Sequence, residues 1–123
     1  MTNAIVRMHP EVLFAFTTNH AELRIRIENP DNKLLWIETE VAVPEGISLS
    51  PTSILKRGRL RFGIIDKKEF IEKSVRIYGN SMTAPQIYCA KIVVYSFNKD
   101  GVIDSRIEKD VDIRCEVKKE ASL

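Results

Sequence analysis

Two stretches of alternating apolar and polar residues, separated by turn-forming residues, dominate the first half of the sequence. Apolar and charged side chains alternate over residues 22–28, and the alternation resumes over 33–43 until Pro44 and Gly46 stop it. Successive side chains of an extended strand point to opposite faces, so this pattern predicts two half-buried β-strands. The segment 29–32, Asn-Pro-Asp-Asn, predicts a tight turn between them.

The rest of the chain repeats this pattern of short extended runs between breakers. Residues 4–8 and 11–16 form either one strand kinked at Pro10 or two short strands, and Gly63 marks a bulge in a strand over 59–64. A strand is predicted over 70–78, and the segments 86–97 and 102–117 are joined by Asn-Lys-Asp-Gly, which is typical of a hairpin. We therefore predict an all-β fold, a β-sandwich of about seven or eight mostly antiparallel strands in two sheets.

Length and composition are those of an ordinary globular protein. The chain has 123 residues, 44% of them hydrophobic and 29% charged, which argues against both disorder and a membrane protein. We expect a single domain over 1–123, with an N-terminal strand region at 1–19 and a frayed tail at 118–123. No apolar run is long enough for a membrane span or a secretory signal, so we expect a cytoplasmic protein, or a domain excised from a longer chain.

The segment 40–51, EVAVPEGISLSP, preceded by Asn29-Pro30, resembles immunoglobulin-like domains of the CARDB and alpha-galactosidase-associated kind, which are frequent in archaea. Gly63, the long strand at 70–78 and the terminal hairpin at 88–117 match the later parts of that pattern, so the resemblance covers roughly residues 20–117. The resemblance implies an immunoglobulin-like β-sandwich from an archaeal source. It implies no shared active site.

The two cysteines are predicted to be reduced. Cys115 alternates in phase with Val111 and Ile113, whereas Cys89 falls on the face opposite Tyr88 and Ala90. Sulfur atoms on different faces of one sheet cannot form a disulfide without a bulge. We therefore expect Cys115 to be a small core residue and Cys89 to be partly exposed.

The same alternation predicts an apolar patch on the outer face of one sheet. In an immunoglobulin-like topology the third and sixth strands are neighbours, and the strands at 33–43 and 86–97 are the candidates for that pair. Exposed apolar patches with Trp and Tyr are typical of protein-binding sites, so we predict that a partner protein or a second copy docks there. The predicted patch consists of Leu34, Trp36, Val93, Tyr95 and Phe97.

Two alternatives to this patch remain open at this point. The N-terminal segment, with Val12, Phe14 and Phe16, can fold over these residues. A bulge can also turn Trp36 into the core. Either arrangement would leave no exposed patch.

A basic cluster is a weaker candidate for contact with an anion. Lys56, Arg57, Arg59 and Arg61 lie close together in the sequence, next to Lys67 and Lys68. Their alternation with apolar residues also fits the solvated face of a strand, where charges protect a sheet edge from unwanted pairing. The net charge of only +2 argues against dedicated nucleic-acid binding.

No pattern of residues indicates catalysis or a cofactor. The sequence contains no nucleophile elbow, phosphate loop or dinucleotide fingerprint, and His9 and His20 lack the spacing of zinc ligands. We therefore predict no enzyme, no metal and no cofactor. The predicted function is a protein-protein interaction or assembly module that uses a sheet face or edge, including for self-association. The alternative is an accessory domain that binds a carbohydrate or an anionic ligand.

Overall fold

The computed structural model of the chain describes residues 2–118, which form two β-sheets around one hydrophobic core. In chain order the strands are β1 (Asn3–His9), β2 (Leu13–Phe14), β3 (Asn19–Glu28), β4 (Leu35–Ala42), β5 (Arg57–Ile65), β6 (Phe70–Gly79), β7 (Gln86–Phe97) and β8 (Ile103–Glu116). One sheet has the order β1-β3-β6 and the other the order β2-β8-β7-β4-β5. All pairings are antiparallel except that of β2 with β8. The predicted all-β sandwich is confirmed.

The core lies between the two sheets and is built from the alternating positions of the strands. Leu23, Ile25 and Ile27 of β3 are fully buried, as is Ile37 of β4 in the opposite sheet. Burial of each such side chain contributes about 1.5–3 kcal/mol before the loss of conformational entropy. The inward faces predicted for β3 and β4 are therefore confirmed.

The segment between β3 and β4 differs from the prediction. The two strands belong to different sheets, so residues 29–34 cross from the three-stranded to the five-stranded sheet instead of forming a tight turn within one sheet. Asn29 is buried in this crossing, and its Nδ2 atom donates a hydrogen bond to the carbonyl oxygen of Lys33 at 2.7 Å. The local sequence does not reveal which sheet the next strand joins.

The N-terminal region forms two short strands, which was one of the two predicted alternatives. β1 pairs with β3 in the three-stranded sheet, and β2 pairs with the end of β8 in the five-stranded sheet. Residues 119–123, which belong to the tail predicted to fray, lie outside the described residues. Residues 2–118 contain no helix that is long and apolar enough to cross a membrane.

The predicted bulge at Gly63 is present and decides which side chains of β5 point outward. The register between β4 and β5 shifts at this point, so that Ile37 lies opposite Gly63 and the next residue lies opposite Arg61. Gly63 has a φ of +103°, a backbone conformation that residues with a Cβ atom rarely adopt. The extra residue allows both Phe62 and Ile65 to be buried, and it places Ile64 on the outer face.

Candidate protein-interaction site

Four apolar side chains meet at one end of the outer face of the five-stranded sheet. Trp36 of β4 lies directly opposite Phe97 of β7 on one side and Ile64 of β5 on the other. Leu34 precedes β4 and lines the same groove, whose volume is about 550 Å³. We call Leu34, Trp36, Ile64 and Phe97 the apolar corner.

Trp36, Ile64 and the half-buried Phe97 of the apolar corner occupy outward positions of strands whose alternate residues fill the core, and Leu34 lies just before β4. Trp36 is 40% exposed, Leu34 48% and Ile64 61%. Single exposed apolar side chains are ordinary on protein surfaces, but neighbouring ones that line one groove form a contiguous patch. The polar rim of the groove includes Asn98 and Lys99 of the β7–β8 connection.

A charged border lies next to the apolar corner on the same face. Glu38 of β4 lies opposite Arg61 of β5 and Tyr95 of β7. One carboxylate oxygen of Glu38 is 3.1 Å from the guanidinium of Arg59, and the other is 4.0 Å from that of Arg61. The guanidinium of Arg59 also lies 5.5 Å from the centroid of the Tyr95 ring.

The border continues onto β8 through Arg106. Its guanidinium lies 5.9 Å from the centre of the Tyr95 ring and donates a hydrogen bond of 2.7 Å to Glu108. This hydrogen bond raises the pKa of Arg106 and lowers the pKa of Glu108. Both groups are therefore charged at neutral pH, and the border carries both signs of charge.

The structure brings together three residues of the predicted patch and separates two. Leu34, Trp36 and Phe97 belong to the apolar corner, whereas Tyr95 belongs to the charged border. Val93 points outward as predicted, but the expectation that it is exposed is wrong, since only 7% of it is accessible. Val93 lies opposite Glu40 on one side and Glu108 on the other, so longer side chains flank it.

Ile64 is the functional candidate that the sequence analysis missed. The bulge at Gly63 reverses the alternation of β5, so Ile64 points outward although it follows a run in which the outward residues are arginines. The glycine itself was the available signal. A bulge at this glycine shifts the alternation by one residue, which turns Ile64 outward.

Neither predicted alternative to an exposed patch occurs. β2 lies at the opposite edge of the sheet, where Phe14 pairs with Glu116, and both β8 and β7 separate it from β4. The N-terminal segment therefore does not fold over Trp36. The bulge lies on β5, and the side chain of Trp36 stays outside the core.

The predicted basic cluster does not converge on one point. Lys56 forms an ion pair with Glu45, and Arg59 and Arg61 both engage Glu38. Arg57 forms no ion pair with any residue of the range 2–118. The three arginines instead follow one another along β5, which is an edge strand of its sheet.

The remaining reactive groups are separate from one another. Both cysteines are free, with Cys89 exposed and Cys115 buried, as the alternation predicted. Burial raises the pKa of the Cys115 thiol. Within the described part of the chain, no three His, Cys, Asp or Glu residues are grouped so that they can hold a metal ion.

Comparison with known proteins gives a likeness of fold. No family model and no curated protein matches the sequence. One similar structure is a CARDB domain from Pyrococcus furiosus, crystallised in complex with di-metal ions. The alignment covers 95% of the present chain and 96% of that domain, with a TM-score of 0.53 and 14% sequence identity. The alkylpurine DNA glycosylase AlkC of Pseudomonas fluorescens, bound to DNA containing an abasic site analog, matches 94% of this chain with a TM-score of 0.50 and 9% identity.

The likeness to the Pyrococcus furiosus domain shows a CARDB-like fold. The matched region is 30% of the glycosylase chain, so the present chain spans less than a third of that protein.

Proposed function

We propose that the protein is a non-catalytic assembly module that associates with a second copy of itself through the apolar corner. The observation that carries this proposal is the exposure of Trp36 beside Ile64 and Leu34 on one groove. Burial of apolar surface is the main driving force of protein association, and Trp is the residue type that most often anchors it.

The charged border favours a second copy as the occupant. It carries Glu38 and Glu108 next to Arg61 and Arg106, so both signs of charge lie beside the apolar surface. A surface with both signs can be complementary to itself when two copies meet face to face. The contact is small, so we expect a weak dimer with a dissociation constant of about 10 µM or weaker.

The test is light scattering coupled to size-exclusion chromatography over a wide range of protein concentrations. We expect the wild type to show a concentration-dependent rise in mass that is lost in the double variant Trp36→Thr with Ile64→Thr. The control variant carries Ile54→Thr and Met82→Thr, which remove two other exposed apolar side chains. A wild type that stays monomeric up to about millimolar concentration, or a dimer that survives the corner variant, would overturn the proposal.

An accessory domain for a carbohydrate or an anion is the second candidate, and the geometry supports it less. The groove of the apolar corner is lined mainly by apolar side chains, with few groups that can bind sugar hydroxyls. The guanidinium groups of Arg59 and Arg61 already share the carboxylate of Glu38. A small anion bound there would therefore lie beside a negative charge.

We further infer that the domain is immunoglobulin-like, of the CARDB kind and from an archaeal source, and that it works in the cytoplasm. The pairing of β4 with β7 and the CARDB-like fold support the first part of this inference. The sequence resemblance at residues 40–51 supports the archaeal source. Two free cysteines, one of them exposed, favour a reducing compartment such as the cytoplasm.

A further inference from the structure

We infer that the free edge of β5 binds an extended acidic segment of another protein as an added antiparallel strand. This site is the edge of the five-stranded sheet, not the groove on its face, and its ligand is a foreign peptide. It therefore does not depend on the self-association proposed above. The evidence is the direction of the β5 backbone groups and the charge of the side chains that accompany them.

Two hydrogen bonds define which backbone groups of β5 point away from the sheet. The carbonyl oxygen of Lys56 accepts a bond of 2.8 Å from the amide of Val43, so the Lys56 carbonyl faces β4. The carbonyl oxygen of Arg61 accepts a bond of 3.1 Å from Nζ of Lys73, so this carbonyl faces the opposite side, away from β4. Carbonyl directions alternate along a strand. Arg57 and Arg59 therefore also direct their amide and carbonyl groups toward the free edge.

The same arginines direct their side chains to the outer face of the sheet. Arg57, Arg59 and Arg61 lie opposite Ala42, Glu40 and Glu38 of β4, which share a face with Trp36. In an added strand, the residues hydrogen-bonded to Arg57 and Arg59 would have their side chains on this face too, beside the guanidinium groups. Asp or Glu at these positions would be complementary in charge, so the site selects a peptide with two acidic residues spaced by two.

A second copy of β5 does not fit this edge. Within residues 57–61, the residues whose backbone groups face the free edge are Arg57, Arg59 and Arg61. Any antiparallel pairing of two copies through these groups therefore places one arginine directly opposite another. Like charges directly opposite each other destabilise a strand pair. The arginines thus block pairing between two copies at this edge, while they leave it open to a strand of opposite charge.

The arginines retain the capacity to bind a ligand. Arg57 has no ion pair within residues 2–118, and the side chain of Arg59 stays 59% exposed beside Glu38. A guanidinium carries five N–H donors, so Arg59 can contact Glu38 and a second carboxylate together. At Arg61 the carbonyl already accepts the Lys73 bond. The regular part of the site therefore ends there, and the ligand strand is short.

The test is binding of end-capped synthetic peptides of about eight residues, the length of a short strand, by isothermal titration and by NMR. The acidic peptide alternates Glu with Val, and the matched peptides replace Glu with Gln or with Lys. We expect the acidic peptide to bind, with the amide protons of Arg57 and Arg59 gaining protection from exchange. The Gln peptide should bind at least about tenfold more weakly, and the Lys peptide should not bind.

Variants separate strand addition from general attraction between opposite charges. Arg57→Gln with Arg59→Gln should weaken binding by about tenfold or more, whereas Arg24→Gln, on the central strand of the other sheet, should leave it unchanged. Two acidic peptides are also compared, one methylated on the backbone nitrogens of its Glu residues and the other on those of its Val residues. Only one of the two should lose binding, because the amides of alternate residues face the edge of β5. Equal binding of both methylated peptides, or no protection of the Arg57 and Arg59 amides, would sink the inference. Binding should persist in the Trp36→Thr, Ile64→Thr variant, so failure of the self-association proposal gives a different result.

Discussion

The side-chain nitrogen of Asn29 lies 3.3 Å from the carbonyl oxygen of Ile65, so it links the end of β3 in one sheet to the end of β5 in the other. The same Nδ2 atom donates to the carbonyl oxygens of Lys33 at 2.7 Å and Asp66 at 3.2 Å. Asn29 is only 1% exposed. Its amide therefore supplies hydrogen bonds that water cannot replace where the chain crosses between sheets.

Asn29→Asp should strongly destabilise the fold. A carboxylate cannot donate hydrogen bonds, so a buried negative charge would face carbonyl oxygens, and we expect a loss of about 3 kcal/mol in the free energy of unfolding. The matched control is Asn98→Asp, because Asn98 uses only its oxygen, which accepts from the amides of Asp100 and Val102. That change should stay within about 0.5 kcal/mol in a denaturant titration. Similar losses in both variants would contradict this account of Asn29.

Two buried threonines should respond in opposite directions to replacement by valine. The Thr39 hydroxyl is buried without a hydrogen-bond partner among the described residues, so Thr39→Val should stabilise the protein by about 1 kcal/mol. The Thr83 hydroxyl donates a hydrogen bond of 2.7 Å to the Gly46 carbonyl oxygen. It accepts one of 2.8 Å from the backbone N–H of Asn80. Thr83→Val should therefore destabilise by about 2 kcal/mol. Thermal and denaturant unfolding measure both, and the same sign in both variants would refute the prediction.

Removal of the Glu38 charge should lower stability and strengthen binding of the acidic peptide. Glu38 balances Arg59 and Arg61 from a largely buried position, so Glu38→Gln should lower the free energy of unfolding by about 1 kcal/mol. It also removes a negative charge beside Arg59 that would repel an acidic strand at this edge. Glu45, which is 86% exposed beside Lys56, provides the control, and Glu45→Gln should change stability by less than about 0.5 kcal/mol. Peptide affinity that falls in Glu38→Gln would contradict the edge inference.

The two thiols should differ in reactivity in the folded protein. A disulfide reagent should modify the exposed Cys89 at once and Cys115 only on unfolding, which single Cys→Ser variants can establish. The pKa of Cys115 is raised by burial, so its contribution to stability is fully present below the ordinary thiol pKa and is lost as the pH rises through the folded value. Stability measured in the alkaline range should therefore fall more in Cys89→Ser than in Cys115→Ala. Equal labelling of both thiols in native protein would show that Cys115 is accessible.

The alternation of side chains could be read from the sequence because it is a local property of each strand. It predicted that Ile37 faces the core, that Trp36 points outward and that the two cysteines lie on opposite faces. Glycine at position 63 marked the bulge for a similarly local reason, since few other residues tolerate its backbone conformation.

The partners of each strand could not be read in the same way, because they depend on contacts between distant parts of the chain. Nothing near residues 29–32 indicates that β4 leaves the sheet of β3. The burial of Val93 depends on Glu40 and Glu108 from two other strands, and the pairing of Arg59 depends on Glu38. These contacts make the exposed patch smaller than predicted and place Arg59 and Arg61 beside a carboxylate.

The parallel pairing of β2 with β8 has a consequence for the biosynthesis of the protein. Leu13 pairs with Cys115, so β2 gains its neighbour in the sheet only after residue 115 has left the ribosome. Until then, the edge that β8 will occupy on β7 stays open, and Leu13 has not reached its buried position. Nascent chains therefore carry an unpaired edge on β7 until β8 has left the ribosome, and such an edge is prone to premature association.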